Sequence, residues 1–400
     1  MDFPPFIRKL RKAIELSLRI LRRHRMAVYA HPMSGIYVRA AFIPDISATT
    51  TDEEIAERLL RSYSLAVSDK PGSFSGGRDD VWTAITQQQR PFIEILESKN
   101  PKRLASYLCN MSRHEATHGT VQGAVEYQHL KRSASYRRYV ARMAKDKLVS
   151  LAEAVGALPC ENPEQGPWNR NARIAESLLV EKIEQTVGIS IAPPAIDGGL
   201  FKIGQDPYRF HERDCNAIYT AWLMRDILSK DPSASVCEIG GGVGRVAYWS
   251  AQFAIKNYTI IDLPHINVLQ GFYLIKSLPR AVICLYGEDR GKNDGSSVRI
   301  HVMPSHALNQ LPQNSTNLIL NQDSFPEINP TTVNEYLAWV KSYGTLFLSI
   351  NHESKPSSVN GTLQNSVPEL IANLGGFVRR SRQLYWLRKG YVCELYESFG

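Results

Sequence analysis

Hydrophobic and polar positions divide the chain into two textures. Up to about residue 160, apolar residues recur at steps of three and four, the spacing of one helix face. At 100° per residue, Phe6, Ile7, Leu10, Ile14, Leu18 and Leu21 fall on one side of a helix, and Arg8, Arg11, Lys12, Arg19, Arg22 and Arg23 on the other. "TDEEIAERLLRSYSLAV" opens with a Thr/Asp cap and an acidic first turn, a helix start. "DDVWTAITQQQRPFIEILES", "PKRLASYLCNMSRHEATHG" and "RRYVARMAKDKLVSLAEAVGAL" carry the same periodicity, broken by Pro and Gly. "PCENPEQGPWNRN" (159–171) reads as a turn-rich connector.

After about residue 205, short β-rich runs alternate with helical patterns: "SVCEIG", "YTIID", "VRIHVM", "NLILNQ" and "TLFLSI". "FVRRSRQLYWLRKGYVCELYES" reads as a hairpin turning at Lys389-Gly390. Alternating strand and helix implies an α/β fold, a parallel sheet with helices on both faces, here with an antiparallel finish. Three units are expected: a basic amphipathic helix over 1–30, a mostly helical domain over 31–205, and an α/β domain over 206–400.

Composition changes this picture little. An apolar content of 43% with 22% charged residues describes a globular chain with an ample core. No apolar run is long enough to span a membrane, and the N-terminus lacks a secretory pattern. The six cysteines are scattered and never form C-x-x-C, which fits a reducing cytoplasm and argues against a structural metal site. Charge changes it more. Eight basic residues against Asp2 and Glu15 place +6 of the +8 net charge in residues 1–30. That helix is expected to pack its apolar stripe on its own domain. A second reading lays residues 1–25 on the anionic inner face of a membrane. Nucleic acid is excluded as a partner, because no aromatic residues are interleaved with the charges.

"HEATH" (114–118) matches the H-E-x-x-H zinc-protease pattern. Its surroundings do not support that chemistry. Residues 118–124, H-G-T-V-Q-G-A, supply neither a third histidine nor the spaced glycine, and Gly119 marks a helix end at His118. No metal is expected. His118 is expected at a helix end, either one facing the cleft between the two halves within reach of substrate or a plain polar one.

A stronger candidate is "EIGGGVGRVAYWS". Gly240, Gly242 and Gly244 have G-x-G-x-G spacing at a strand-to-helix turn, where glycine permits positive φ and close approach of a ligand to the backbone. Glu238 precedes the turn, and Asp262 ends the next strand, where an acid hydrogen-bonds ribose hydroxyls. The turn is not the G-x-G-x-x-G of pyrophosphate binders. Glu238 lies at the strand end, where it can accept from the amino group of a methionine tail. These features favour S-adenosylmethionine (SAM) over NAD(P) or a ligand-free turn.

"VCEIGGGVGRVAYWSAQ…YTIIDLPHI" resembles the Rossmann-like, seven-stranded class I SAM-dependent methyltransferases, and the "GGGVG…DLPH" pairing is similar to small-molecule O-methyltransferases. The whole chain looks most like a bacterial family of sugar O-methyltransferases, through "EIGGG", "DLP", Asn321-Gln322-Asp323-Ser324, and, more diffusely, "DVW" and "LCNMSRHE". The resemblance implies that Glu238 and the three glycines hold the methionine end and Asp262 the ribose. It further implies that Leu263 and Met303 flank the adenine. His301-Val302-Met303 stands where many plant-type enzymes have Gly-Asp-Met, and Gln322 where they have a catalytic histidine.

Methyl transfer to a hydroxyl needs alignment and a base. Asp323, at the carboxyl end of its strand, is the first candidate base and His352 the second. His211 and Glu212 are expected to line the acceptor pocket, and His265 to cap or pack near the cofactor. The expected reaction is O-methylation of a sugar hydroxyl on a nucleotide sugar, glycolipid or polysaccharide. A non-sugar metabolite as acceptor, and a non-catalytic SAM-binding scaffold, are the alternatives. The partners this reading allows are a small-molecule or glycan acceptor, a second copy of the chain as a homodimer, and a membrane surface.

Overall fold

The computed structural model describes residues 40–42, 45–69, 81–120, 123–162, 164–166, 170–196, 201–203, 212–231, 233–288, 297–312, 315–343, 345–354 and 364–399. The basic helix expected over 1–30 and His211 lie outside the described residues, as does the Glu212 side chain.

Strand β1 (Ala40–Phe42) pairs antiparallel with β2 (Phe201–Ile203). Between them lie α1 (Thr50–Ser68), α2 (Val81–Gln88), α3 (Arg90–Glu97), α4 (Pro101–Leu108), α5 (Gly123–Arg132), α6 (Ala134–Ala154) and α7 (Glu176–Val187). The start of α1 is a reciprocal cap. Thr49 Oγ1 accepts from the Asp52 amide at 3.3 Å, and Asp52 Oδ2 accepts from the Thr49 amide at 2.8 Å. Pro91 and Pro101 stand at the first turns of α3 and α4, where no amide hydrogen is needed.

The second half runs α8 (Glu212–Ile227), β3 (Ser235–Ile239), α9 (Arg245–Gln252), β4 (Asn257–Asp262), α10 (Pro264–Ser277), β5 (Val282–Leu285), β6 (Arg299–Pro304), β7 (Leu318–Gln322), α11 (Pro330–Tyr343), β8 (Leu346–His352), α12 (Val367–Leu374), β9 (Phe377–Leu384) and β10 (Tyr391–Ser398). Its sheet has the order β5-β6-β4-β3-β7-β8-β10-β9. Strands β3 to β8 pair in parallel, and β10 runs antiparallel to both β8 and β9. The run β6-β4-β3-β7-β8 is the doubly wound, Rossmann-like order, which reverses between β3 and β7. It carries the expected antiparallel hairpin, and β5 adds an eighth strand at the far edge.

Both faces of the sheet are covered, so its central strands are buried almost throughout. On one face Val333, Leu337 and Val340 of α11 pack with Val367 and Ile371 of α12. On the other, Phe272 and Leu269 of α10 share one cluster with Leu59 of α1, Leu104 of α4 and Leu148 of α6. The boundary expected at 205/206 therefore does not divide the core. Gly271 is what lets α1 come close to α10. A Cβ there would lie 2.5 Å from Leu59 Cδ2 and 2.9 Å from Leu285 Cδ2. Ion pairs rim the contact: Lys276 with Asp52 at 2.6 Å, and Arg58 Nη2 with Glu288 at 2.7 Å.

Candidate functional site

Where the strand order reverses, the carboxyl ends of β3 and β7 open a crevice, the usual place for a ligand in such sheets. It is a cavity of about 230 Å³ lined from β3, β4, β7, α8 and the helical half. Gly240, Gly242 and Gly244 all have positive φ, at 78°, 58° and 87°. A side chain at Gly240 would collide with Ser324, whose Oγ lies 2.3 Å from the added Cβ. Ser324 belongs to a buried clasp. Asn321 Nδ2 donates to Ile239 O at 3.0 Å and to Ser324 Oγ at 2.5 Å, and Asn351 Nδ2 donates to Asn321 Oδ1 at 3.0 Å. The Asn-x-x-Ser of "NQDS" thus locks β7 to β3 just where the glycine turn begins.

Glu238 and Asp262 flank that turn. Glu238 is 2% exposed, and burial pushes its carboxyl up to about 8 against the opposing hydrogen bond from Tyr258 Oη (3.0 Å). Burial likewise pushes Asp262 up to about 7. Asp262 Oδ1 accepts from the Leu263 amide at 2.8 Å, and Oδ2 from Gln270 Nε2 at 2.7 Å. The same Gln270 nitrogen donates to Gly242 O at 3.0 Å, so one buried amide fixes the glycine turn relative to Asp262. Leu263 lines the cavity. Met303 does not. It is 3% exposed in the core cluster between the sheet and α11, because its β6 side chain points to that face. Its expected adenine contact is therefore corrected: Ser305, two residues on, lines the cavity instead.

Across β7 the wall is polar. Asp323 has φ 70°, a left-handed backbone that Asp adopts more readily than most residues with a side chain. Arg213 reaches its Oδ2 at 3.2 Å, and Arg388 pairs with the same oxygen. Burial pushes the Asp323 carboxyl up, but Arg388, Arg213 and a hydrogen bond from Tyr391 outweigh it and hold it below its ordinary value. Glu327 lines the same wall. Its carboxyl makes no hydrogen bond or ion pair among the described residues, though its amide donates to Ser324 O at 3.0 Å, and burial, then the Asp323 charge, push the carboxyl up to about 7. Asn216 of α8 also lines the cavity; it is 6% exposed and its Oδ1 has no partner among the described residues.

His352 lies outside this wall. Its Nδ1 bonds Ser354 O at 3.0 Å, and its ring meets Tyr391 edge-on at 5.6 Å, behind the Arg388 guanidinium stacked 3.9 Å from the Tyr391 ring. His118 does not line the cavity either, though its neighbours Gly119 and Thr120 do. The helical periodicity read through "HEATH" is corrected. Helix α4 stops at Leu108, and Met111–Arg113 and Glu115–Thr117 form separate 3-10 turns around an extended His114. Polar side chains take backbone bonds a helix would use: Thr117 Oγ1 donates to Met111 O at 3.1 Å and to His114 O at 3.2 Å, and Tyr107 Oη accepts from the Ala116 amide at 3.1 Å. The His114 ring stacks on Tyr107 at 4.4 Å, so the two histidines share no helix face.

Sequence reasoning missed Arg213, Asn216, Gln270, Glu327 and Arg388. Gln270 carried a faint signal, standing two helical turns past Asp262. The others are brought together only by the fold.

No family model matches the chain. No curated protein matches its sequence. Among solved structures it is similar to the mitomycin 7-O-methyltransferase MmcR, with 12% identity over 69% of this chain and 100% of that one and a TM-score of 0.31. It is also similar to the CcbJ methyltransferase from Streptomyces caelestis (13%; 46% and 90% covered; TM-score 0.33). A third likeness is to the glycopeptide N-methyltransferase MtfA in complex with S-adenosylhomocysteine (15%; 44% and 87% covered; TM-score 0.31). At these values the fold assignment rests on the strand order, a Rossmann-like sheet of the class I methyltransferase kind.

Proposed function

We propose that the chain is a SAM-dependent O-methyltransferase whose acceptor is a polar, polyhydroxylated molecule, a sugar. One observation carries the reading: a single cavity runs from Asp262 past the glycine turn to Asp323 and Glu327. Strands β4, β3 and β7 are neighbours about 4.8 Å apart, so the wall from Asp262 to Asp323 spans about 10 Å. That length suits a ribose held at one end and a reacting group at the other. The residues fit the cofactor. Asp262 offers an acceptor to ribose hydroxyls, Glu238 an acceptor to an ammonium, and the side-chain-free Gly242 leaves room beside it. Asn216 Oδ1, without a partner among the described residues, is free to accept from a bound ligand.

When bound, SAM supplies a methyl group on a sulfonium centre. The chain's residues supply the rest. The β3–β7 clasp fixes the glycine turn, and Gln270 fixes Asp262. Asp323 holds Arg213 and Arg388 in place on the acceptor side. A carboxylate so paired is a weak base, so we assign proton removal from the acceptor hydroxyl to Glu327, which titrates near neutral pH. The sugar reading is supported by the polar side chains of Arg213, Asn216, Gln322, Asp323, Glu327 and Arg388 on this wall, where Ala217 and Ile328 are the apolar neighbours.

Calorimetry with S-adenosylhomocysteine (SAH) and with NAD tests the cofactor. SAH binding is expected and NAD binding is not; the reverse would overturn the assignment. Transfer of label from methyl-tritiated SAM to a panel of nucleotide sugars, against a panel of phenols, tests the acceptor. Labelled phenols with unlabelled sugars would overturn the sugar reading alone.

A further inference from the structure

The "HEATH" stretch has no task in the proposed reaction, yet it stands at the cofactor crevice. Gly119 and Thr120 line the cavity beside Trp82 of α2. The nearest atom to a Cβ placed on Gly242 is Thr120 Cβ, at 3.8 Å, so this segment lies directly across from the glycine turn. Its own seat is tight. Gly119 has φ 85°, and a Cβ there would come within 3.0 Å of Ile85 Cδ1 on α2.

One buried residue holds the segment in place. Gln89, fully buried between α2 and α3, donates from Nε2 to Ala116 O at 2.9 Å and to His118 O at 3.0 Å. Its Oε1 lies 2.9 Å from His265 Nε2. Both amide hydrogens are spent on carbonyls, so Oε1 accepts and the histidine proton sits on Nε2. Burial holds His265 down at about 4, so the ring is neutral at pH 7 and keeps that role. His265 lies in the first turn of α10, three residues after Asp262. The segment and the acid that faces the ribose therefore hang from the same link.

We propose that residues 115–120 are a roof over the methionine end of the cofactor site, making the helical half part of that site. The inference rests on the SAM reading. The roof shields the reacting end from water, and the second histidine of "HEATH" serves through its backbone carbonyl rather than its ring.

Hydrogen exchange of the full chain with and without SAH tests this. Amides of 116–120 should gain protection with SAH, together with those of the glycine turn. Thr120→Trp, which fills the space facing Gly242, should weaken SAH binding by roughly tenfold or more with an unchanged melting temperature. Protection confined to the glycine turn, or SAH affinity untouched by Thr120→Trp, overturns the roof. A wild-type chain that binds no SAH at all sinks the cofactor reading beneath it, a separate result.

Discussion

At the scale of single residues, the crevice is an arrangement of carboxyls set apart by their surroundings. Burial raises Glu238, while paired arginines lower Asp323. Binding a cationic ammonium requires Glu238 ionised, and below about pH 8 the free protein holds that proton. SAH binding should therefore release close to one proton at about pH 6.5 and almost none at about pH 9. Calorimetry in buffers of different ionisation enthalpy measures this, and Glu238→Gln should remove the Glu238 share, leaving only what Asp262, itself raised to about 7, gives up. The same proton sets a stability slope. The unfolded chain releases it near 4.5 and the native chain near 8, so stability falls as pH rises between them. Relative to Glu238→Gln, the wild type should lose about 1.4 kcal/mol per pH unit in that window. Asp262→Ala removes the proposed ribose acceptor and should cost roughly 1–3 kcal/mol of SAH affinity. With an acceptor from the labelling screen, Glu327→Gln should slow turnover about 100-fold or more while SAH affinity holds. Asp323→Asn should act mainly on the acceptor KM, through loosened arginines. Equal turnover losses in the two variants would return the base to Asp323.

At the scale of elements, the alternation of apolar and polar positions carried most of the fold. The central strands and the closing hairpin were legible because each is a long run of one period. Strand β5 was not, since four residues at a sheet edge hold too little pattern to stand out from the preceding turn. The segment after α4 was misread for another reason: side chains bond its own backbone and override helical periodicity. That Glu238, the glycine turn, Asp262 and Leu263 line one cavity was legible because they cluster around one turn and one strand end. The arginines of the opposite wall were not, because Arg213 and Arg388 reach Asp323 across separations of 110 and 65 residues. The packing of α1 on α10 offers a direct test. Gly271→Leu overfills the contact with Leu59 and Leu285, and should cost about 1–3 kcal/mol in urea unfolding with no change in SAH affinity per folded molecule. A variant as stable as wild type would show that α1 is free to move away.

At the scale of the whole molecule, the helical half and the sheet share one core, although their sequence textures differ sharply. Residues 206–400 expressed alone should consequently aggregate, exposing the apolar faces of α8 and α10; a soluble, SAH-binding fragment would contradict the shared core. No helix among the described residues is long and apolar enough to cross a membrane. The contact between α1 and α10 also reaches into the time of synthesis. Arg58 meets Glu288 across 230 residues. At the usual pace of translation, α1 is finished roughly 10–50 s before its partner emerges. Through that interval Leu59 and Leu60 have nothing of their own chain to lie against but neighbouring helices. The N-terminal half must wait on the ribosome with its sheet-facing side bare, so a nascent-chain chaperone is more needed here than in proteins whose first elements pack with their immediate successors.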